Sequence, residues 1–193
     1  PGGRRRGYGR GMALIYTARL DPDKPEWIRR RLVAHDLPED VDAEKVGSYR
    51  FDDPAGEVGV ESMIVRVGDR LYQTAFAYRG EAPTEGDIVA EADHSVLGRR
   101  WVMDAATDPD ARRILTAGLR GEIPQAVMDF HDESGAYLET RQPDVTLRLV
   151  GEGDGGELEL PVELADAAEE SGDGPRRLVA EGEGFTAVVA RLA

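Results

Sequence analysis

Gly151, Gly153 and Gly156 repeat as GxGxxG behind a β-prone run, a spacing whose main-chain N–H groups meet a pyrophosphate when a helix follows. Here Glu157 to Leu164 alternates as a strand instead, and Glu152, Asp154 and Glu157 would repel phosphate, so the segment is expected to be a hairpin loop. The three histidines, His35, His94 and His131, lie far apart and none stands in a ligand spacing such as HExxH. Along a strand Glu91 and Asp93 face away from His94, and His131-Asp132-Glu133 runs into Ser134-Gly135, a turn with solvated acids. Ser95 diverges from His94 on an extended chain, and no GxSxG elbow is present. Carboxylates are plentiful, yet nothing selects a glycosidase-like pair. The sequence therefore predicts no catalytic residue, no cofactor site and no metal site.

Composition narrows the classes further. The absence of cysteine removes disulfide frameworks, thiolate nucleophiles and CxxC zinc sites. No asparagine occurs and only Lys24 and Lys45 are lysine, a usage pointing to a GC-rich genome of actinobacterial type. The net charge is −14 over 193 residues, although Pro1 to Gly11 carries four arginines and no acid. An acidic body repels phosphate backbones and acidic membranes, so neither nucleic acid nor a membrane is expected as partner. No apolar run reaches the roughly 20 residues of a membrane helix, and no secretory signal core opens the chain, which places the protein in the cytoplasm.

The elements are legible from their punctuation. PGGRRRGYGRG reads as a disordered extension or foreign remnant, with Met12 as the natural start. ALIYTARL is β-prone, and Asp21-Pro22-Asp23-Lys24-Pro25 opens a helix from about Pro25 to His35 with Trp27, Ile28 and Leu32 on one face. Val46 to Phe51, Val58 to Val67 and Leu71 to Tyr78 read as antiparallel strands joined at Asp53-Pro54-Ala55-Gly56 and at Gly68-Asp69. Tyr72, Thr74, Phe76 and Tyr78 share one sheet face. Strands follow at Ile88 to Ala92 and Val96 to Met103, then a helix capped at Thr107-Asp108-Pro109 and closed by Gly121. Residues 121–193 read as β-rich: Val145 to Val150, Glu157 to Leu164 with Pro161 marking an edge, and Arg177 to Leu192 broken at Gly182 and Gly184. Ala168 to Gly174 reads as an acidic loop.

Three phrases in order, SYRFDDPAGEVGVES from Ser48 to Ser62, Phe76-Ala77-Tyr78-Arg79-Gly80, and HSVLGRRW from His94 to Trp101, resemble the maltokinase N-terminal cap family. Met12-Ala13-Leu14-Ile15 and Met103 to Pro109 fit as well, so the likeness spans roughly Met12 to Leu119. It implies an α+β fold in which a helix packs on a curved antiparallel sheet with cystatin-like topology, occupying 12–120, with 121–193 packed on the same body. In that family the cap precedes two lobes that transfer phosphate from ATP to maltose. The lobes' catalytic Asp, metal-binding Asn and Asp, and ATP-contacting Lys find no counterpart in a chain without asparagine and with a short β-rich tail.

The resemblance thus implies a stand-alone, non-catalytic cap-like module that docks on a kinase-type or other glucan-metabolism protein. The alternative is an autonomous binder of, or modest enzyme on, a sugar or sugar phosphate held in a concavity of the sheet. The candidate contact surface is Asp52, Asp53 and Glu57 beside one turn, with His94, Arg99, Arg100 and Trp101 on another strand. Arg and Trp are favoured interface anchors, so Arg99, Arg100 and Trp101 lead.

Overall fold

A computed structural model describes residues 11–56, 58–167 and 174–193, so Glu57, most of the expected N-terminal extension and most of the expected loop from Ala168 to Gly174 lie outside the described residues. Fourteen strands and two helices are described. In chain order they are β1 (Met12–Tyr16), β2 (Leu20–Asp21), α1 (Lys24–Val33), β3 (Glu44–Asp52), β4 (Gly59–Val67), β5 (Arg70–Arg79), β6 (Ile88–His94), β7 (Gly98–Asp104), α2 (Pro109–Leu119), β8 (Val127–His131), β9 (Tyr137–Arg141), β10 (Thr146–Val150), β11 (Leu158–Glu159), β12 (Glu163–Leu164), β13 (Arg177–Gly182) and β14 (Phe185–Leu192). The architecture is α+β and mostly β.

The central curled antiparallel sheet has the order β2-β6-β7-β5-β4-β3. Its central strands β4 and β5 are buried on both faces over most of their length, and strand alternation sorts their side chains. Met63, Val65, Tyr72 and Phe76 join Trp27, Ile28 and Leu32 of α1 in one apolar cluster, where Trp27 lies edge-on to Phe76 at 6.3 Å. Val60, Ile64, Ala75 and Ala77 point the other way, into a larger cluster with Ile114, Leu115 and Leu119 of α2 and with Leu178, Val189 and Leu192 of the C-terminal strands. Each helix begins where an aspartate caps it. The Asp23 carboxylate accepts from Glu26 N–H at 3.2 Å, and that of Asp108 from Ala111 N–H at 2.8 Å.

A second sheet, of order β10-β13-β14-β11, covers the α2 side. Two expectations fail in its approach. The segment from Glu157 to Leu164 is not one strand: it pairs with β14 over β11, leaves at Leu160, and re-enters beside β5 as β12. Pro161 has no N–H to give a ladder, so the crossing falls there. Residues 151–156 are not a hairpin loop either, because β10 and β11 are the two outer strands of that sheet and the segment runs from one edge to the other. A side chain at Gly151 (φ 85°) would stand 2.3 Å from the Pro175 carbonyl, so glycine serves a close backbone crossing there.

The β-prone opening run is divided as well. β1 lies parallel to β8, which pairs with β9 in a small third sheet, whereas β2 joins the central sheet beside β6. The sequence reading did not find β8 or β9. Every residue of β8 is half-buried and every residue of β9 exposed, so neither shows the alternation that marks a strand.

Candidate functional site

The expected contact residues do not form one surface. Asp52 and Asp53 stand at the end of β3, while His94, Arg99, Arg100 and Trp101 belong to the β6–β7 hairpin, with β5 and β4 between them in the sheet. Glu57 lies outside the described residues.

The two aspartates are engaged internally. Asp52 Oδ1 accepts from Arg50 Nε at 2.8 Å and lies 2.7 Å from its Nη2. The space for that pair exists because residue 59, opposite Asp52, is glycine: a Cβ there would sit 1.9 Å from Arg50 Nη2. Asp53 accepts from Arg113 Nη2 of α2 at 2.7 Å and, through Oδ1, from Ala55 N–H at 2.9 Å, which fixes the turn. Arg113 also reaches Asp110 at 3.3 Å, and Asp110 accepts from Arg79 of β5 at 2.9 Å. Arg79 in turn holds both carboxylate oxygens of the fully buried Asp108, its Nη2 at 2.7 and 2.6 Å and its Nε at 2.8 Å. One ionic chain therefore ties the β3–β4 turn to α2 and β5, and the hydrogen bond from Arg79 leads the causes that hold the Asp110 carboxyl below its usual range.

The hairpin is more open. Arg99 is 61 % exposed, its ion pairs to Glu91 and Asp93 long at 3.5 and 3.9 Å. Leu97 at the turn is 42 % exposed. Arg100 donates to the Arg99 carbonyl, and Trp101 is half-buried against the α2-side core, so the tryptophan positions the strand more than it faces a partner. His94 Nδ1 accepts from Val96 and Leu97 N–H at 3.2 and 3.1 Å, which places its proton on Nε2. Burial, and then the Arg100 charge, lowers its pKa.

The fold brings both His94 and His131 near Tyr16, at ring separations of 6.3 and 6.2 Å, a meeting of three elements that sequence spacing hides. Among the described residues no group of three or more His, Asp or Glu is placed to hold a metal. Ser95 Oγ donates to Glu133 at 3.1 Å and accepts from Arg19 N–H.

Sequence reasoning also missed Glu61, a carboxylate in the fully buried middle of β4. Lys24 Nζ donates to its two oxygens at 2.9 and 2.7 Å, and Tyr78 Oη to Oε2 at 2.9 Å. Burial alone would raise the Glu61 pKa, but the Lys24 and Arg50 charges and these hydrogen bonds outweigh it and lower the pKa. Burial and then the Glu61 charge push the Tyr78 hydroxyl well above the ordinary tyrosine range. An acidic residue amid an apolar strand run is the signal that marks the position.

Comparison with curated proteins and with solved structures returns no match. The family model described as the maltokinase N-terminal cap domain matches residues 27–108, from Trp27 of α1 to the cap of α2, less than half of the chain. Residues 27–108 thus form a maltokinase N-terminal cap-like region, and the family resemblance read from the sequence holds over that stretch.

Proposed function

We propose that the chain is a non-catalytic, cytoplasmic module that docks on a kinase-type protein of α-glucan or maltose metabolism and regulates or positions it. The observation that carries this reading is the cap-family match over residues 27–108. The cystatin-like arrangement implied by the resemblance, a helix across the sheet, is the scaffold we assign to it. Among the candidate residues those of the β6–β7 hairpin serve docking best, because Arg99 is exposed, with Leu97 exposed at the adjoining turn although outside the candidate set, while Asp52 and Asp53 are held by Arg50 and Arg113. No helix among the described residues is long and apolar enough to cross a membrane.

The test is affinity capture with the full chain from native extract, followed by mass spectrometry, alongside a Leu97→Asp/Arg99→Glu variant. Recovery of a kinase that lacks its own cap, lost with the double variant, is expected. Equal recovery with the variant, or no kinase-type protein above background, would overturn the reading.

A further inference from the structure

The face of α2 turned away from the core carries Arg112, Thr116 and Arg120 at successive i, i+4 positions, with Arg113 beside them. Together with Glu122 and with Gly156, Glu157 and Leu158, the residues at the start of β11, they line a groove of about 600 Å³. That size is within the range of small-ligand sites. On a chain of net charge −14, the grouping of three guanidiniums in one concavity runs against the overall charge.

Their state of engagement matters more than their number. Arg112 is held in place by neutral acceptors only, the Ala106 and Leu158 carbonyls at 3.0 and 3.2 Å, so its position is fixed while its charge is not cancelled. Arg113 has its charge answered by Asp53 and Asp110. Arg120 is exposed, and among the described residues no hydrogen bond or ion pair engages its guanidinium. Arg112 is thus an anchored donor and Arg120 one whose guanidinium has no partner among the described residues, two helical turns apart along the helix. A phosphate oxygen set suits such a pair, since guanidinium forks match phosphate geometry. Glu122 and Glu157 line the same groove and are exposed; their charges repel a phosphate and so confine it to the arginine wall, while their oxygens can accept hydrogen bonds from hydroxyls.

We infer that this groove binds a small phosphorylated polyol, with Arg112 and Arg120 on the phosphate and Glu122 and Glu157 on hydroxyl groups. All of its lining lies after residue 108, beyond the stretch that matches the cap family, and it is a surface of α2 rather than a concavity of the sheet. The inference goes beyond docking on a partner and stands without it.

Calorimetric titration of the full chain with glucose 6-phosphate, inorganic phosphate and glucose tests it, using wild type, Arg120→Ala, Arg120→Glu and, as a control of equal charge loss, Arg148→Ala on β10. Arg148 is exposed, pairs with Glu181 and lies outside the groove. Saturable binding is expected in the order glucose 6-phosphate, inorganic phosphate, glucose. It should weaken about tenfold in Arg120→Ala, disappear in Arg120→Glu and be unchanged in Arg148→Ala. Absence of saturable binding by either phosphorylated probe would overturn the inference, as would equal weakening in Arg148→Ala. Equal affinity for phosphate and glucose 6-phosphate would overturn the polyol assignment, because the two glutamates would then contribute nothing.

Discussion

The side-chain amide of Gln73, in the middle of β5, donates to the main-chain carbonyl of Val189 in β14 at 2.6 Å. The same nitrogen donates to the Pro161 carbonyl at 2.8 Å, and its amide oxygen accepts from Tyr49 Oη at 3.1 Å. Gln73 lies within the cap-like region and is 2 % exposed, whereas Pro161 and Val189 belong to the C-terminal third. One buried amide therefore answers three polar groups that arrive from different parts of the chain, and does so beneath the point where β12 takes up the edge of β5 left free by β7.

Replacing Gln73 with leucine keeps the volume and strands the Tyr49 hydroxyl and two carbonyls. Each buried polar group left unpaired costs roughly 1–3 kcal/mol, so a loss of about 3 kcal/mol is expected in urea unfolding. Hydrogen exchange should quicken at the Gln73 amide, which donates to the Val162 carbonyl at 2.8 Å, as the β12 crossing loosens. A stability unchanged within error would show that the amide does not join the two parts.

Gly59→Ala probes the Arg50–Asp52 pair. The added methyl would meet Arg50 Nη2 at 1.9 Å and Asp52 Oδ1 at 2.7 Å, so the guanidinium must leave. We expect about 1–3 kcal/mol of destabilisation, as for overpacked cores. In an Arg50→Ala background the same substitution should cost much less, because the clashing atoms are gone. Additive costs in the double-mutant cycle would contradict that account.

How far the sequence revealed these arrangements depended on whether their cause was local. The Tyr72, Thr74, Phe76 and Tyr78 face of β5, the turns at Asp53–Gly56 and Gly68–Asp69, and the caps at Asp23 and Asp108 each depend on residues within a few positions, and each was legible. The pairing of β1 with β8 joins residues more than a hundred positions apart, and the partner for Asp53 is sixty residues on, upon α2. No periodicity encodes such pairings. The crossing at Pro161 was half legible: proline signalled a sheet edge, but the edge it marks belongs to β5 as well as β14. Of the expected contact residues, Arg99 was placed correctly on a strand, and Trp101, whose size already favoured a core position, is half-buried against the larger cluster.

Asp108 both caps α2 and receives Arg79, so its substitutions separate two contributions. Asp108→Asn retains an oxygen for the Ala111 N–H and should lose mainly the charge pairing with Arg79. Asp108→Ala removes the cap, worth about 1 kcal/mol, and leaves a guanidinium whose side chain is only 19 % exposed with Asp110 as its remaining anion. Losing one partner of a buried pair costs about 3–5 kcal/mol, so alanine is expected to cost at least that and asparagine clearly less. Thermal unfolding of both variants checks the order, and equal losses would assign the whole effect to charge.

The Lys24–Glu61 pair predicts how stability depends on pH. The Glu61 pKa is lower in the folded protein than in the unfolded chain, so its contribution is fully present above the unfolded carboxylate value, about 4.3, and is lost as pH falls through the folded pKa. Lys24→Met removes one of the two cations and both of its hydrogen bonds, leaving Arg50 and Tyr78 to hold a carboxylate that is 9 % exposed. Because Lys24 itself is 40 % exposed, the loss at pH 7 should be about 1–2 kcal/mol, below the 3–5 of a fully buried pair. The variant's Glu61 pKa rises, so its stability should begin to fall at a higher pH than that of the wild type. Below the folded pKa of the wild type Glu61 is neutral in both proteins, and the gap between them should narrow. Urea unfolding from pH 7 down to pH 3 measures that gap, and Glu61→Gln should remove its pH dependence. A gap constant across the range would mean that Lys24 acts through packing of its methylene stem on α1 and not through the charge of Glu61.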